Sequence, residues 1–216
     1  EIDKYTSRYA VYPGLKVKRI FKMAYPAMLD YCKASGFVPD AFEQKLEDMK
    51  NKIEIKTTAD KQDFVFSFKG SIDRVDKNDA GLLRVVDYKT YVKKINLNEA
   101  ADGVQIQLFA YAYALKKEFG DAVIDNVGYI KTYLPTGKDI KEKPFEYICA
   151  EPDKYDINKI MDHAYGKLEE ACNNIAAGKS PAKLTVSEFE GACFFCDFKG
   201  TCGRKLNQTK PAVKGS

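Results

Sequence analysis

The 216 residues include no tryptophan, a single histidine and no apolar run of membrane length. The longest apolar stretches, such as Leu108 to Leu115, fall far short of the roughly 18 residues a spanning helix needs. No signal-peptide pattern opens the chain. Neither a membrane span nor a membrane partner is therefore expected. Charge of one sign is also scarce, since 35 Lys+Arg against 31 Asp+Glu leave a net charge of only +4. That balance is not a nucleic-acid signature, so contact with phosphates would have to come from a local groove of Lys and Arg. Disorder is excluded from the other side: with 45% apolar residues the chain can bury enough surface to offset its ordering entropy. The length suits one core with appendages. Beginning at Glu1 rather than Met, the chain reads as a piece of a longer polypeptide, with something upstream.

There are six cysteines, but they are not spread as a disulfide framework would spread them. Cys193, Cys196 and Cys202 crowd one stretch, while Cys32, Cys149 and Cys172 are scattered. Clustering of this kind points to a metal site and a reducing, cytosolic setting. Iron–sulfur clusters and zinc both accept four thiolates, and the spacing does not separate them.

Hydrophobic periodicity divides the chain. Val17, Ile20, Phe21, Ala24, Met28 and Cys32 recur at helical spacing and predict an amphipathic helix over Lys16 to Cys32, ended by Gly36 and Pro39. A charged segment with Glu43, Glu47 and Asp48 leads to a strand near Ile53 to Thr57. From Phe64 the period becomes two, and one strand is expected to run on through Phe66, Phe68, Ile72 and Val75 to a turn at Lys77 to Gly81, returning over Leu82 to Thr90. A helix over Glu99 to Phe119 ends at Gly120. A strand over Asn126 to Leu134, a turn at Pro135-Thr136-Gly137, a strand over Phe145 to Cys149 and a helix over Asp153 to Ala177 complete the regular structure.

The hairpin carries the first chemistry. With the turn centred on Asp79, residue 73 faces residue 85, so Asp73, Asp87 and Lys89 project from one sheet face, the two acids being diagonal neighbours about 7–8 Å apart between Cα atoms. Two carboxylates converging from adjacent strands suit a hard divalent cation, Mg²⁺ or Mn²⁺, that keeps several waters. A one-residue slip would send Asp73 to the other face. The acidic-x-Lys spacing recurs elsewhere, as at Glu43/Lys45 and Glu54/Lys56, so position and not spacing singles out Asp87-Tyr88-Lys89. It ends an apolar strand, where an unpaired carboxylate would be costly. An internal Asp–Lys ion pair at a sheet edge is the competing reading.

The order Gly70-x-Ile72-Asp73-Arg74, Val86-Asp87-Tyr88-Lys89-Thr90, Gln107-Leu108-x-x-Tyr111 and Cys193-x2-Cys196-x5-Cys202 resembles the RecB-like branch of the PD-(D/E)XK nucleases, nearest to the C-terminal nuclease domains of AddB-type helicase–nuclease subunits. The resemblance runs from about Phe64 to Cys202. It implies an α/β fold, with a mixed central sheet flanked by helices and a Cys-rich C-terminal loop. It also implies a deoxyribonuclease, an exonuclease serving DNA repair and recombination, with DNA as substrate and a helicase subunit or helicase domain as partner. Asp73 and Asp87 would hold Mg²⁺ or Mn²⁺, with the Tyr88 backbone carbonyl as a further ligand. Lys89 would orient the attacking water, and Gln107 and Tyr111, one helical turn apart, would support the site or touch the DNA strand; ordinary helix–sheet packing is the alternative for both.

The resemblance further implies that Cys193, Cys196 and Cys202 bind a 4Fe-4S cluster with a fourth cysteine from upstream, zinc being the alternative occupant. Cys32 has the right order in the chain, but it lies on an apolar stripe, where a buried thiol is common; Cys172 shares that ambiguity on its own helix, Cys149 sits in a strand, and a cysteine preceding Glu1 is a further choice. The sequence departs from the family in one respect: the metal-ligating His expected upstream of the sheet is missing, and His163 lies downstream on the late helix. Either that segment precedes Glu1, or Glu43 or Glu47 substitutes. The chain is accordingly divided into an N-terminal helical segment and lead-in strand (1–60), a nuclease core (61–190), the cysteine loop (191–203) and a basic, flexible tail (204–216). A catalytically silent DNA-binding or scaffold module, and a free-standing exonuclease of the phage or CRISPR type, are the competing functions.

Overall fold

A computed structural model describes residues 8–89, 95, 97, 100, 103, 105–120, 124–132, 145–150, 156–179 and 197. The chain divides into two compact units, Glu1–Ser180 and Pro181–Ser216. All described helices and strands belong to the first. In chain order they are α1 (Arg8–Ser35), β1 (Val38–Lys45), a 3-10 turn (Leu46–Asp48), β2 (Glu54–Ala59), β3 (Gln62–Ser67), β4 (Ser71–Lys77), β5 (Leu83–Lys89), α2 (Gln107–Phe119), β6 (Ile124–Thr132), β7 (Phe145–Cys149) and α3 (Ile157–Ala176). The turn expected at residues 135–137, the cysteine loop and the tail lie outside the described residues, apart from Asp197.

α1 stops where Gly36 takes φ +71 and returns its N–H to the Cys32 carbonyl at 3.0 Å, a left-handed cap that glycine adopts without a Cβ clash. β1 is a correction to the charged segment read between the first helix and strand. Its residues, with Pro39, Asp40 and Glu43, show no apolar alternation because β1 is an edge strand, paired only with β4. Proline and charge are what an edge carries to discourage further pairing.

A second correction concerns the single strand expected from Phe64 to Val75. β3 instead turns back on β2 through Asp60 and Lys61, both at positive φ, in a two-stranded sheet of their own; two left-handed residues are what a tight hairpin demands. The chain breaks at Phe68 to Gly70 before β4 enters the main sheet. There the Leu46 N–H bonds the Gly70 carbonyl at 2.8 Å.

The main sheet has the order β1-β4-β5-β6-β7. Only β5 and β6 run parallel, and α2 lies between them in sequence. β4 and β5 pair from Lys77↔Leu83 to Arg74↔Val86, one residue later than a turn centred on Asp79 would set. In the loop, Asn78 takes the Gly81 and Leu82 N–H groups through its carbonyl and side chain, both at 2.9 Å, with Gly81 at φ +82. Of the helix predicted from Glu99, Ala100 is helical, as is Leu97 before it, but Gly103 takes φ +84 with its N–H on the Ala100 carbonyl at 3.1 Å, and α2 itself starts at Gln107.

One face of the sheet, with Val75, Val85 and Val127, packs against Leu108, Phe109, Ala112 and Leu115 of α2 and Met161 and Ala164 of α3. The opposite face, with Val86 and Ile130, is covered by Ala24, Ala27, Met28 and Tyr31 of α1. Tyr147 of β7 lies flat across β6 on that face: a Cβ built at Gly128 would stand 2.5 Å from its ring. Gly128→Ala should therefore destabilise the fold by about 1–3 kcal/mol, measured as a lower urea midpoint; an unchanged midpoint would mean that the ring is not seated there.

Candidate active site

Continuing the β4–β5 register one step beyond Arg74↔Val86 sets Asp73 directly opposite Asp87. The expected arrangement was diagonal. Because the register moves by one residue on each strand, both acids stay on the same face, the one covered by α2 and α3. At this level the Tyr88 N–H donates to Asp73 Oδ2 at 3.0 Å, which fixes that carboxylate on the neighbouring strand.

Asp87 is only 3% exposed, and its Oδ2 makes no hydrogen bond among the described residues. Lys89 Nζ stands 2.7 Å from that oxygen as an ion-pair partner, approaching outside hydrogen-bond geometry. Burial pushes the Asp87 carboxyl above the ordinary carboxylate range; Lys89 pulls it back and the charge of Asp73 adds to the rise. The Lys89 ammonium is raised chiefly by Asp87, against its own partial burial, with Tyr129 and Asp73 contributing. The competing Asp–Lys pair thus exists, but β5 is a central strand rather than a sheet edge, and a second carboxylate faces the pair. A buried, under-bonded carboxylate oxygen opposite another acid fits a hard divalent cation that keeps several waters. No group of three or more His, Cys, Asp or Glu side chains stands in ligand geometry among the described residues.

Two residues that the sequence pattern did not single out complete this face. The parallel register pairs Asp87 with Tyr129 and Lys89 with Lys131. Lys89 Nζ lies 6.0 Å from the Tyr129 ring centroid, and burial, followed by the nearness of Asp87, raises the Tyr129 phenol. Their signal would have been the pairing of β5 with β6, which no local pattern encodes.

On α2, Gln107 Nε2 donates to the Tyr111 hydroxyl at 3.1 Å. Tyr111 in turn rests on the chain just before β4: a Cβ at Gly70 would stand 3.0 Å from its hydroxyl. The glycine that opens the Gly70-x-Ile72-Asp73 motif is therefore a place of close approach. Of the two upstream acids, Glu47 accepts the Gly70 N–H at 3.3 Å, and bonds from its own backbone and Gly70 hold its carboxyl below the usual range. Glu43 falls between Phe42↔Arg74 and Gln44↔Ile72, opposite Asp73, and accepts from the Ser71 hydroxyl at 3.1 Å. His163 is exposed on α3.

Cys32 is half-buried at the rear of the sheet, its sulfur 3.9 Å from Arg74 Nη2. Cys149 is exposed on β7 and Cys172 buried in α3. Cys193, Cys196 and Cys202 lie outside the described residues.

The chain is similar in sequence to known proteins. Residues 13–203 match the family model described as the PD-(D/E)XK nuclease superfamily. An ATP-dependent helicase/deoxyribonuclease subunit of Anoxybacillus flavithermus is 36% identical over 109 residues, covering 49% of this chain and 9% of that protein. The protein of the same description from Clostridium perfringens is 33% identical over 152 residues, covering 58% of this chain and 13% of the relative. The matched region is thus a small part of each relative.

A carboxylate raised by burial makes the folded state prefer its neutral form. The stability linked to Asp87 is fully present below the unfolded carboxylate pKa and is lost as pH rises through the higher folded value. In metal-free protein Asp87→Asn should therefore raise the Tm at neutral pH, and the gain should vanish as pH falls below the carboxylate range. A variant less stable than the wild type at neutral pH would contradict this.

Proposed function

The chain belongs to the PD-(D/E)XK nuclease superfamily, and from that premise we propose that it is a metal-dependent deoxyribonuclease, acting as an exonuclease and forming the nuclease part of a helicase–nuclease. The observation that carries this reading is the buried Asp87 carboxylate set opposite Asp73 with Lys89 beside it. The relatives, helicase/deoxyribonuclease components by description, support the helicase partner, and DNA follows as the substrate.

Asp73 and Asp87 would hold Mg²⁺ or Mn²⁺, with the Tyr88 carbonyl as a further ligand. A cation bound there lowers the pKa of water and polarises a phosphate oxygen. The chain's own residues supply the rest. Asp73 is oriented by the Tyr88 N–H. Lys89, lying between the Asp87 carboxylate and the Tyr129 ring, orients the attacking water and stabilises the negative charge that develops on the phosphate. Gln107 holds the Tyr111 hydroxyl against Gly70 and so buttresses the entry to β4. Glu43, opposite Asp73 in register, would stand in for the upstream His only by leaving its bond with the Ser71 hydroxyl, since no three His, Cys, Asp or Glu side chains stand in ligand geometry among the described residues. Recognition runs through backbone phosphates, without sequence preference, and weakens as salt rises.

Labelled single- and double-stranded DNA with Mg²⁺ or Mn²⁺ tests this. Asp87→Ala and Lys89→Ala should each lose about 10²-fold or more of the cleavage rate. Equal cleavage by wild type and Asp87→Ala would sink the assignment; DNA binding without cleavage by the wild type would favour a silent scaffold.

A 4Fe-4S cluster on Cys193, Cys196 and Cys202, with zinc as the alternative, remains part of the proposal. Cys32 as the fourth ligand finds no support in its rear-face contact with Arg74. Protein purified without oxygen should be brown with a broad visible absorbance band, whereas stoichiometric zinc in colourless protein would count against iron–sulfur.

A further inference from the structure

Arg74 and Asp76 have no part in the chemistry above, yet both are 0% exposed. They face away from the site, under α1. Arg74 grips both Asp76 oxygens, Nη2 to Oδ2 at 3.0 Å and Nε to Oδ1. Burial disfavours the guanidinium charge, but the bonds to Asp76 and Tyr88 outweigh it and raise the Arg74 pKa above its ordinary value. Replacing a buried ion pair with apolar residues is often neutral or stabilising, so stability alone does not account for this one.

The remaining Arg74 donor is the informative one. Nη1 reaches the Tyr88 hydroxyl at 3.2 Å and Met28 Sδ at 3.1 Å. Tyr88 stands between Asp87 and Lys89 and its own N–H fixes Asp73. Successive residues of a strand point to opposite faces, so β5 cannot roll at Tyr88 without turning Asp87 and Lys89 out of the site. Anchoring the Tyr88 ring from behind therefore constrains three groups in front.

We propose that the Arg74–Asp76 pair is a positioning device: through the Tyr88 hydroxyl it sets the orientation of β5 and so aligns Asp73, Asp87 and Lys89 for the cation. The proposal rests on the active-site reading above. Partners one shell out from a ligand typically carry about 10–100-fold in metal affinity.

Mn²⁺ titration by calorimetry, with thermal unfolding alongside, tests it without reference to turnover. Tyr88→Phe removes only the hydroxyl and should weaken Mn²⁺ binding by about tenfold. Tyr31→Phe is the control, since it removes another rear-face hydroxyl, one that accepts from Arg84 Nη1 at 3.1 Å where Tyr88 accepts from Arg74; its Mn²⁺ affinity should match the wild type. Arg74→Lys keeps the charge but lacks the planar fork needed to hold Asp76 and Tyr88 together, and should weaken Mn²⁺ binding as well, which covers the case in which Tyr88→Phe does not fold. Wild-type affinity in folded Tyr88→Phe or folded Arg74→Lys, or an equal loss in Tyr31→Phe, would overturn the positioning role and leave the site assignment standing. Wild type that binds no Mn²⁺, or Asp87→Ala that binds as tightly as wild type, would overturn the assignment itself and the positioning role with it.

Discussion

A carboxylate has to be kept ionisable in the middle of a sheet, and much of the molecule follows from that requirement. Asp87 sits on a central strand at 3% exposure, where charge is opposed by desolvation. The neighbouring Lys89 offsets part of the penalty, and a facing acid, Asp73, adds to it. In the metal-dependent reading proposed above, a bound cation would supply the counter-charge that Lys89 leaves incomplete.

The two faces of the sheet divide the labour. The α2/α3 face pairs an aliphatic core with an open end that carries acids and lysines. The α1 face buries polar groups beside Val86 and Ile130: the Arg74–Asp76 pair, and Arg84, which bonds Asp125 at 2.6 Å and stacks 3.6 Å over Phe37. Rear polar groups can be satisfied only in a narrow set of arrangements, so this layer specifies the strand positions that the aliphatic core alone would leave looser.

Much of this was legible in the sequence, for reasons that differ from element to element. The helical stripes announced α1, α2 and α3 because amphipathic burial is periodic, and the face shared by Asp73, Asp87 and Lys89 survived an error in the turn centre because side-chain direction depends only on parity. β1 was illegible because an edge strand is defended by the residues that hide it. The break at Phe68 to Gly70 was missed because β3 keeps its alternation up to Ser67, and the interruption goes with tertiary contacts of Gly70 to Tyr111, Leu46 and Glu47. Tyr129 and Lys131 depend on a non-local pairing. The rear bond from Arg74 to Tyr88 could not be read either, since alternation puts both on one face without saying that they touch.

The parallel pairing of β5 with β6 has a consequence in time. Asp73, Asp87 and Lys89 belong to a hairpin closed by a short loop, a local contact that forms early. Gln107, Tyr111, Tyr129 and Lys131 come from chain beyond Lys89, and the β6 wall joins only after that chain has crossed over, a long-range closure that is intrinsically slower. An immature chain therefore carries the acids without the wall that confines them. In the nuclease proposed above, the site would be complete only once β5 and β6 have paired, so any cleavage would depend on the non-local part of the fold and not on the hairpin that carries the acids.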